Sequence, residues 1–255
     1  MSIKGGIASL GTVLLVGSIL SGCHSQLKPL PVNATAAVTV TNPPDDAFFD
    51  AVSSSDESVT PEKVQAYAQQ RITQYLKLAG LEADVKATLY FTIGMAGELL
   101  PLKDPPKDPQ GGLAQVGGSA EMPAPYIGAE FVALQQGKEI LATNFSGGIF
   151  QTSKNWKGVQ SVIDLSVGHL LKAFAKNGRQ ADRIVRILTS APLLPRDPYT
   201  HVELNFGAIR LHQQGNLWEA LGEIGAPARK TLEEAAKDKD PEIADEAGTA
   251  LKKMM

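Results

Sequence analysis

The sequence has one cysteine in 255 residues, few aromatics (6%) and no excess of basic charge. A single Cys cannot form an intramolecular disulfide, and it cannot build a multi-cysteine zinc or iron–sulfur site. With 24 Lys+Arg against 27 Asp+Glu, the net charge of -3 lacks the basic footprint that nucleic-acid binding requires. Four His, at positions 24, 169, 201 and 212, are too scattered for a zinc signature, and no HExxH is present. There is no GxSxG, P-loop or GxGxxG. Gly111-Gly112 to Gly117-Gly118-Ser119 lacks the Lys-Ser/Thr of a phosphate loop and reads as a plain glycine loop. Ser25-Gln26-Leu27-Lys28 spells S-x-x-K only by chance, because it lies beside the N-terminal segment where no pocket can form. What remains is ordinary: 43% hydrophobic and 20% charged residues, enough for a core and too apolar for wholesale disorder. Neither a cofactor nor a metal is expected, and the lack of a nucleophile motif, metal set or phosphate cradle argues for a non-enzymatic protein.

The N-terminus is the most informative stretch. Lys4 supplies a short positive region, and Ile7–Leu20 is an uncharged, mostly apolar run of 14 residues. A spanning helix needs about 20, so this run has the length of a signal-peptide core. Leu20-Ser21-Gly22-Cys23 follows and resembles the lipobox of bacterial lipoproteins. That resemblance covers about 23 residues and implies cleavage between Gly22 and Cys23. It also implies diacylglycerol on the Cys23 sulfur and a fatty acyl chain, such as palmitate, on the new N-terminus. The lipid bilayer is then the first partner. One acyl chain holds a protein only marginally, whereas two or more anchor it stably. Residue 24 is His rather than Asp, which by family analogy implies the periplasmic face of the outer membrane in a Gram-negative cell envelope. Cleavage removes Lys4 alone among the charges, leaving 23 basic and 27 acidic side chains and a net charge of -4.

The mature chain divides into three stretches. Residues 23–58 hold Pro29, Pro31, Pro43, Pro44 and the run Ser53-Ser54-Ser55, the composition of a tether. Within it Ala36–Thr41 alternates and reads as a candidate edge strand. Residues 59–178 predict an α+β domain in which helices cover a small antiparallel sheet. Thr60-Pro61 opens a helix whose face is Val64, Ala68, Ile72, Tyr75 and Ala79, and Gly80 stops it. Asp84–Ile93 alternates as a half-buried strand. Gly94–Pro125, with six Gly and six Pro in 32 residues, reads as a long loop. Tyr126–Leu134 and Glu139–Phe145 flank Gln135-Gln136-Gly137-Lys138 as a hairpin. Val159, Val162, Ile163, Val167, Leu170, Leu171 and Phe174 form the clearest amphipathic stripe, closed by Asn177-Gly178. His169 flanks that stripe and is expected to be solvated or to cap.

Residues 179–255 show no strand pattern and predict an all-α region. A short helix runs from Ala181 to before Pro192, and a second is expected over Val202–His212, with His201 and His212 about three turns apart. The last 39 residues contain Leu221-Gly222-Glu223-Ile224-Gly225, then Ala226-Pro227, Asp238-Lys239-Asp240-Pro241-Glu242-Ile243, Ala247 and Leu251. This pattern resembles short bacterial HEAT repeats. It departs at Ala244 and Asp245, where that family usually carries a basic residue, and at Gly248, which weakens a helix by about 1 kcal/mol relative to Ala. The match covers at most one and a half repeats, so the segment must pack on the rest of the chain. Asn205–Leu221 resembles a tetratricopeptide repeat more faintly.

The mixed charges of residues 229–246 read as a solvated face rather than as paired catalytic carboxylates. These features imply a lipid-anchored scaffold or adaptor for another envelope protein, with Trp218, Leu221, Glu223 and Glu234 as candidate interaction surface. The alternative is a lipoprotein binding a small molecule or glycan, its pocket lined by Tyr90, Tyr126 and Trp156 under the 94–125 loop. A hydrolase whose groups meet only in the fold is the third reading.

Overall fold

A computed structural model describes residues 27–41, 49, 53, 58–96, 122–148, 156–204, 207–212 and 215–254. The expected signal peptide, with Gly22 and Cys23 at its expected cleavage site, therefore lies outside the described residues, as does the middle of the 94–125 stretch.

The sheet begins earlier in the chain than residue 59. β1 (Ala34–Thr41) alternates Ala34, Ala36 and Val38 inward with Thr35, Ala37 and Thr39 outward. It pairs in parallel with β2 (Ala83–Ala96), in register from Ala34↔Ala83 to Thr41↔Tyr90. Leu27 and Val32 pack on the core, and Arg183 donates to the carbonyls of Lys28 and Leu78 at 2.5 Å each. The folded body thus takes in much of the expected tether. The parallel β1–β2 pair makes the sheet mixed rather than antiparallel. Its crossover is α1 (Pro61–Ala79), which packs on β1.

α1 forms for the reasons its sequence gives. Thr60 accepts a hydrogen bond from the Lys63 amide at 3.3 Å, Pro61 starts the first turn, and Val64, Ala68, Ile72, Tyr75, Leu76 and Ala79 are buried. Gly80 ends the helix in the left-handed region (φ 71°). Thr60→Ala is expected to cost about 1 kcal/mol, read as a lower urea midpoint at unchanged slope.

β2 buries Val85, Ala87, Leu89 and Phe91 and exposes Lys86 and Tyr90. It runs antiparallel to β3 (Met122–Gln135), and β3 to β4 (Lys138–Gly148). The β3–β4 connection is Gln136-Gly137, both at positive φ (52° and 77°), the two-residue hairpin turn whose twist matches the strands. The ends of the 94–125 stretch are strand, contrary to the loop expected there. Pairing continues through Gly94↔Ala124 to Ala96↔Met122. Pro123 and Pro125 lie beyond the last β4 pair, Tyr126↔Gly148, where one side of β3 has no described neighbour and proline is tolerated.

α2 (Trp156–Lys176) lays its stripe on this sheet and closes on Gly178 (φ 73°), with the Arg179 amide donating to the Phe174 carbonyl at 3.0 Å. α3 (Ala181–Ser190) follows, as expected. The next segment corrects the all-α expectation. Val202–His212 is not a helix: β5 (Tyr199–Leu204) and β6 (Gly207–His212) pair antiparallel as a separate two-stranded sheet. Thr200, Val202, Ile209 and Leu211 are β-formers at period two, and that pattern prevails over the helical one. It also removes the tetratricopeptide likeness over Gly207–His212.

The C-terminal helices are α4 (Leu217–Ile224), α5 (Arg229–Ala235), entered through a 3-10 turn at Ala226–Ala228, and α6 (Pro241–Lys253). Asn216 and Asp240 cap α4 and α6 through the amides of Glu219 and Glu242, each at 2.9 Å. α6 packs on α4 and α5, so closely that a Cβ on Gly222 would stand 2.9 Å from that of Ala250. α4 packs in turn on α2 and α3, and its buried residues join those of the sheet in one continuous core. The described chain is α+β, with a small mixed sheet, and no described helix is long and apolar enough to cross a membrane.

Candidate functional site

β4, α2 and α4 meet around a cleft of about 380 Å³. Its apolar floor is Phe131, Leu141, Phe145, Leu170 and Ala173. The strand register dictates this: Phe131↔Thr143 and Ala129↔Phe145 put Thr143 and Phe145 on the helix-covered face.

The polar rim comes from the last two turns of α2 and from α4. Lys172 and Lys176, one turn apart, both donate to Glu223, at 3.0 and 2.8 Å to its two carboxylate oxygens. Lys172 is the more covered, with a side chain 15% exposed against 46% for Lys176. Burial raises the Glu223 pKa, but the hydrogen bonds and charges of Lys176 and Lys172 outweigh it, so the carboxyl is held below its ordinary value. Two ammonium groups share one carboxylate, and the rim keeps one positive charge.

His169 lies deeper. Its ring stacks on Phe145 (centroids 4.0 Å apart, 27° between planes), and its Nε2 is buried with no hydrogen-bond partner. Gly215 covers that nitrogen so closely that a Cβ there would come within 2.6 Å. Burial, with help from the Lys172 charge, pushes the His169 pKa down to about 3, so the imidazole is neutral at physiological pH. This corrects the solvated or capping role expected for it. No signal along the sequence marks it, because its burial is made by β4 and by Gly215, 24 and 46 residues away.

The other expected site residues separate. Trp218 and Leu221 are 8% and 0% exposed and belong to the core, where Trp218 donates its indole N–H to the Arg196 carbonyl at 2.7 Å. They occupy the apolar face of α4 and cannot form a surface. Glu223 stays on the surface within the lysine clamp, and Glu234 is exposed on α5. Tyr90 and Trp156 do not share a pocket. Tyr90 is on the open face of the sheet, and Trp156 packs edge-on to Tyr67 of α1, ring centroids 5.5 Å apart. The Tyr126 side chain is outside the described residues. His201 and His212 stand on paired strands, opposite Arg210 and Tyr199. Among the described residues no group of His, Cys, Asp and Glu is arranged to hold a metal ion.

A second polar cluster ties α1 to α2. Asp164 accepts from Arg71 Nε at 2.6 Å and Nη2 at 2.8 Å, and Tyr67 donates to it at 3.4 Å. Lys63 lies over the Trp156 ring at 4.4 Å. These groups are spent on each other.

No family model, no curated protein and no solved structure matches this chain.

Proposed function

We propose that this chain is a lipid-anchored protein of the bacterial envelope whose folded body is a non-enzymatic adaptor for another envelope protein. The observation that carries the anchor is Leu20-Ser21-Gly22-Cys23, placed directly after a 14-residue apolar run and containing the sole Cys of the chain. Two acyl chains or more at that sulfur and amine hold a protein stably at a membrane.

Two features support the adaptor role. The capped helices α4 and α6, with α5 between them, are consistent with the HEAT-like reading, in which stacked helix pairs present binding surface without catalytic groups. The cleft at β4, α2 and α4 offers an apolar floor under a charged rim. Its volume, about 380 Å³, also falls in the range of small-molecule sites, and this favours the ligand-binding lipoprotein as second reading.

Expression of the full chain and of Cys23→Ala in a Gram-negative bacterium tests the anchor. The wild type should pellet with membranes and carry the added mass of three acyl chains. Cys23→Ala should lose that mass and either fractionate with the soluble periplasm or keep its signal peptide. Wild-type material found unmodified and soluble would overturn the proposal. Crosslinking in intact membranes tests the adaptor role: a reproducible protein partner is expected, and none above background counts against it.

A further inference from the structure

The cleft lies against an open sheet edge. Among the described residues β4 pairs with β3 alone, and nothing pairs with its outer side. An edge strand of 11 residues presents a row of unpaired N–H and C=O groups. Proteins usually protect such edges with Lys, Pro or a bulge. Here Lys138 and Glu139 stand at the start of β4, and a bulge follows at once, with Ile140 the extra residue opposite Ala133 and Leu134, so these devices protect only the first turn-proximal residues of the edge. The stretch bordering the cleft, Leu141–Phe145, has no charge and no Pro.

We propose that β4, α2 and α4 form a groove that captures an extended, acidic polypeptide segment of a partner as a fifth strand. The inference rests on the adaptor reading and names the chemistry of its partner. Strand addition takes affinity from main-chain hydrogen bonds and specificity from alternate side chains. On one side of the added strand, those side chains meet the partly exposed Thr143 and Phe145, with the buried Phe131 and Leu141 beneath them.

Charge sets which end of the groove takes the acidic end of the segment. His169 of α2 stacks on Phe145, while Arg179, just past α2, donates to Gln135 at the β3–β4 turn at 3.3 Å. α2 therefore runs antiparallel to β4 and carries Lys172 and Lys176 toward the start of β4. A segment antiparallel to β4 delivers its C-terminal end there. Each ammonium has three donors and spends one on Glu223, so both can take a further carboxylate. A second copy of β4 fits poorly. Its Leu141–Phe145 carries no acid, and in an antiparallel pair its Glu139 lies at the end away from Lys176.

The test uses the full mature chain in detergent and a fluorescent ten-residue probe of alternating Val and Thr ending in two Asp. Anisotropy should show saturable binding. Ending the probe in two Lys, or replacing both lysines in Lys172→Ala/Lys176→Ala, should weaken it by about tenfold or more, the scale of one charge-assisted contact. N-methylating alternate amides of the probe should abolish binding without touching the protein fold. Hydrogen exchange should show new protection on β4. No saturation by about 1 mM, equal binding of the Asp- and Lys-ended probes, or protection on β1 instead of β4 overturns the groove assignment. Crosslinking in membranes separates this failure from that of the adaptor reading. A wild type that captures a partner equally well with Lys172→Ala/Lys176→Ala sinks the groove alone, whereas a wild type that captures nothing sinks the adaptor.

Discussion

Asp164→Ala is expected to remove about 3 kcal/mol or more of folding stability, measured by urea unfolding at constant slope. Asp164 sits in the middle of α2 and is 9% exposed. It holds the Arg71 guanidinium in a two-pronged pair at 2.6 and 2.8 Å, with side chains only 17% and 13% exposed. Burial tends to lower the Arg71 pKa, and Asp164 more than reverses it, so the guanidinium stays charged. Removing the carboxylate strands that charge between Tyr67 and Tyr75. The Tyr67 hydroxyl, pushed up to about 12 by burial and then by the Asp164 charge, loses its acceptor as well. The cost comes from the orphaned partner more than from the lost attraction. Arg71→Met/Asp164→Leu, which removes both charges, should recover most of the loss. A drop below about 1 kcal/mol for Asp164→Ala would place this pair with exposed surface bridges.

Elements with local determinants were legible in the sequence. α1 follows from Thr60-Pro61, a 3.6-residue stripe and Gly80. The β3–β4 hairpin follows from Gln136-Gly137, because glycine accepts the positive φ a two-residue turn demands. α6 follows from Asp240-Pro241. Elements decided by non-local pairing were less legible. The β1–β2 partnership joins residues 49 apart, and nothing within Ala34–Thr41 states that its neighbour is parallel. The β5–β6 hairpin was missed because Val202, Ile209 and Leu211 suit either a strand or a helix face over so short a run.

The candidate site was less legible still. Its chemistry comes from α2 and α4, which are 47 to 51 residues apart where Lys172 and Lys176 meet Glu223. Glu223 was singled out as surface, which it is, but the two lysines that define its role lie on what reads as a core helix. Trp218 and Leu221 were misplaced for the converse reason. A repeat-type pattern does not say which helix face a neighbour covers, and α2 and α6 cover the face they occupy.

Acid should weaken the fold from pH 7 downward, and His169 should be a main cause. Its pKa falls from 6.5 to about 3 in the folded chain, so between those values the unfolded state binds more protons than the folded one. The neutral imidazole therefore contributes stability that is intact above pH 6.5 and is lost as pH falls toward 3. At about 1.4 kcal/mol per pH unit, the loss from this group alone is roughly 2 kcal/mol between pH 6.5 and 5. Glu223, held below its ordinary value of 4.5 by Lys176 and Lys172 against the effect of burial, adds an acid loss of the same sign at lower pH. Over the interval from pH 7 to 5, comparison with a variant that lacks this imidazole isolates His169. Its buried Nε2 sits under Gly215 with no hydrogen-bond partner, the ring lies flat on Phe145, and the Lys172 charge opposes a proton more than the Glu223 charge favours it. His169→Leu keeps an apolar contact with Phe145 and cannot titrate. Its unfolding free energy should be flatter by about 2 kcal/mol than that of the wild type over this interval, even if its stability at pH 7 is lower. Parallel curves for the two proteins would show that the folded chain protonates His169 as easily as the unfolded one, and that the imidazole is not closed off from water.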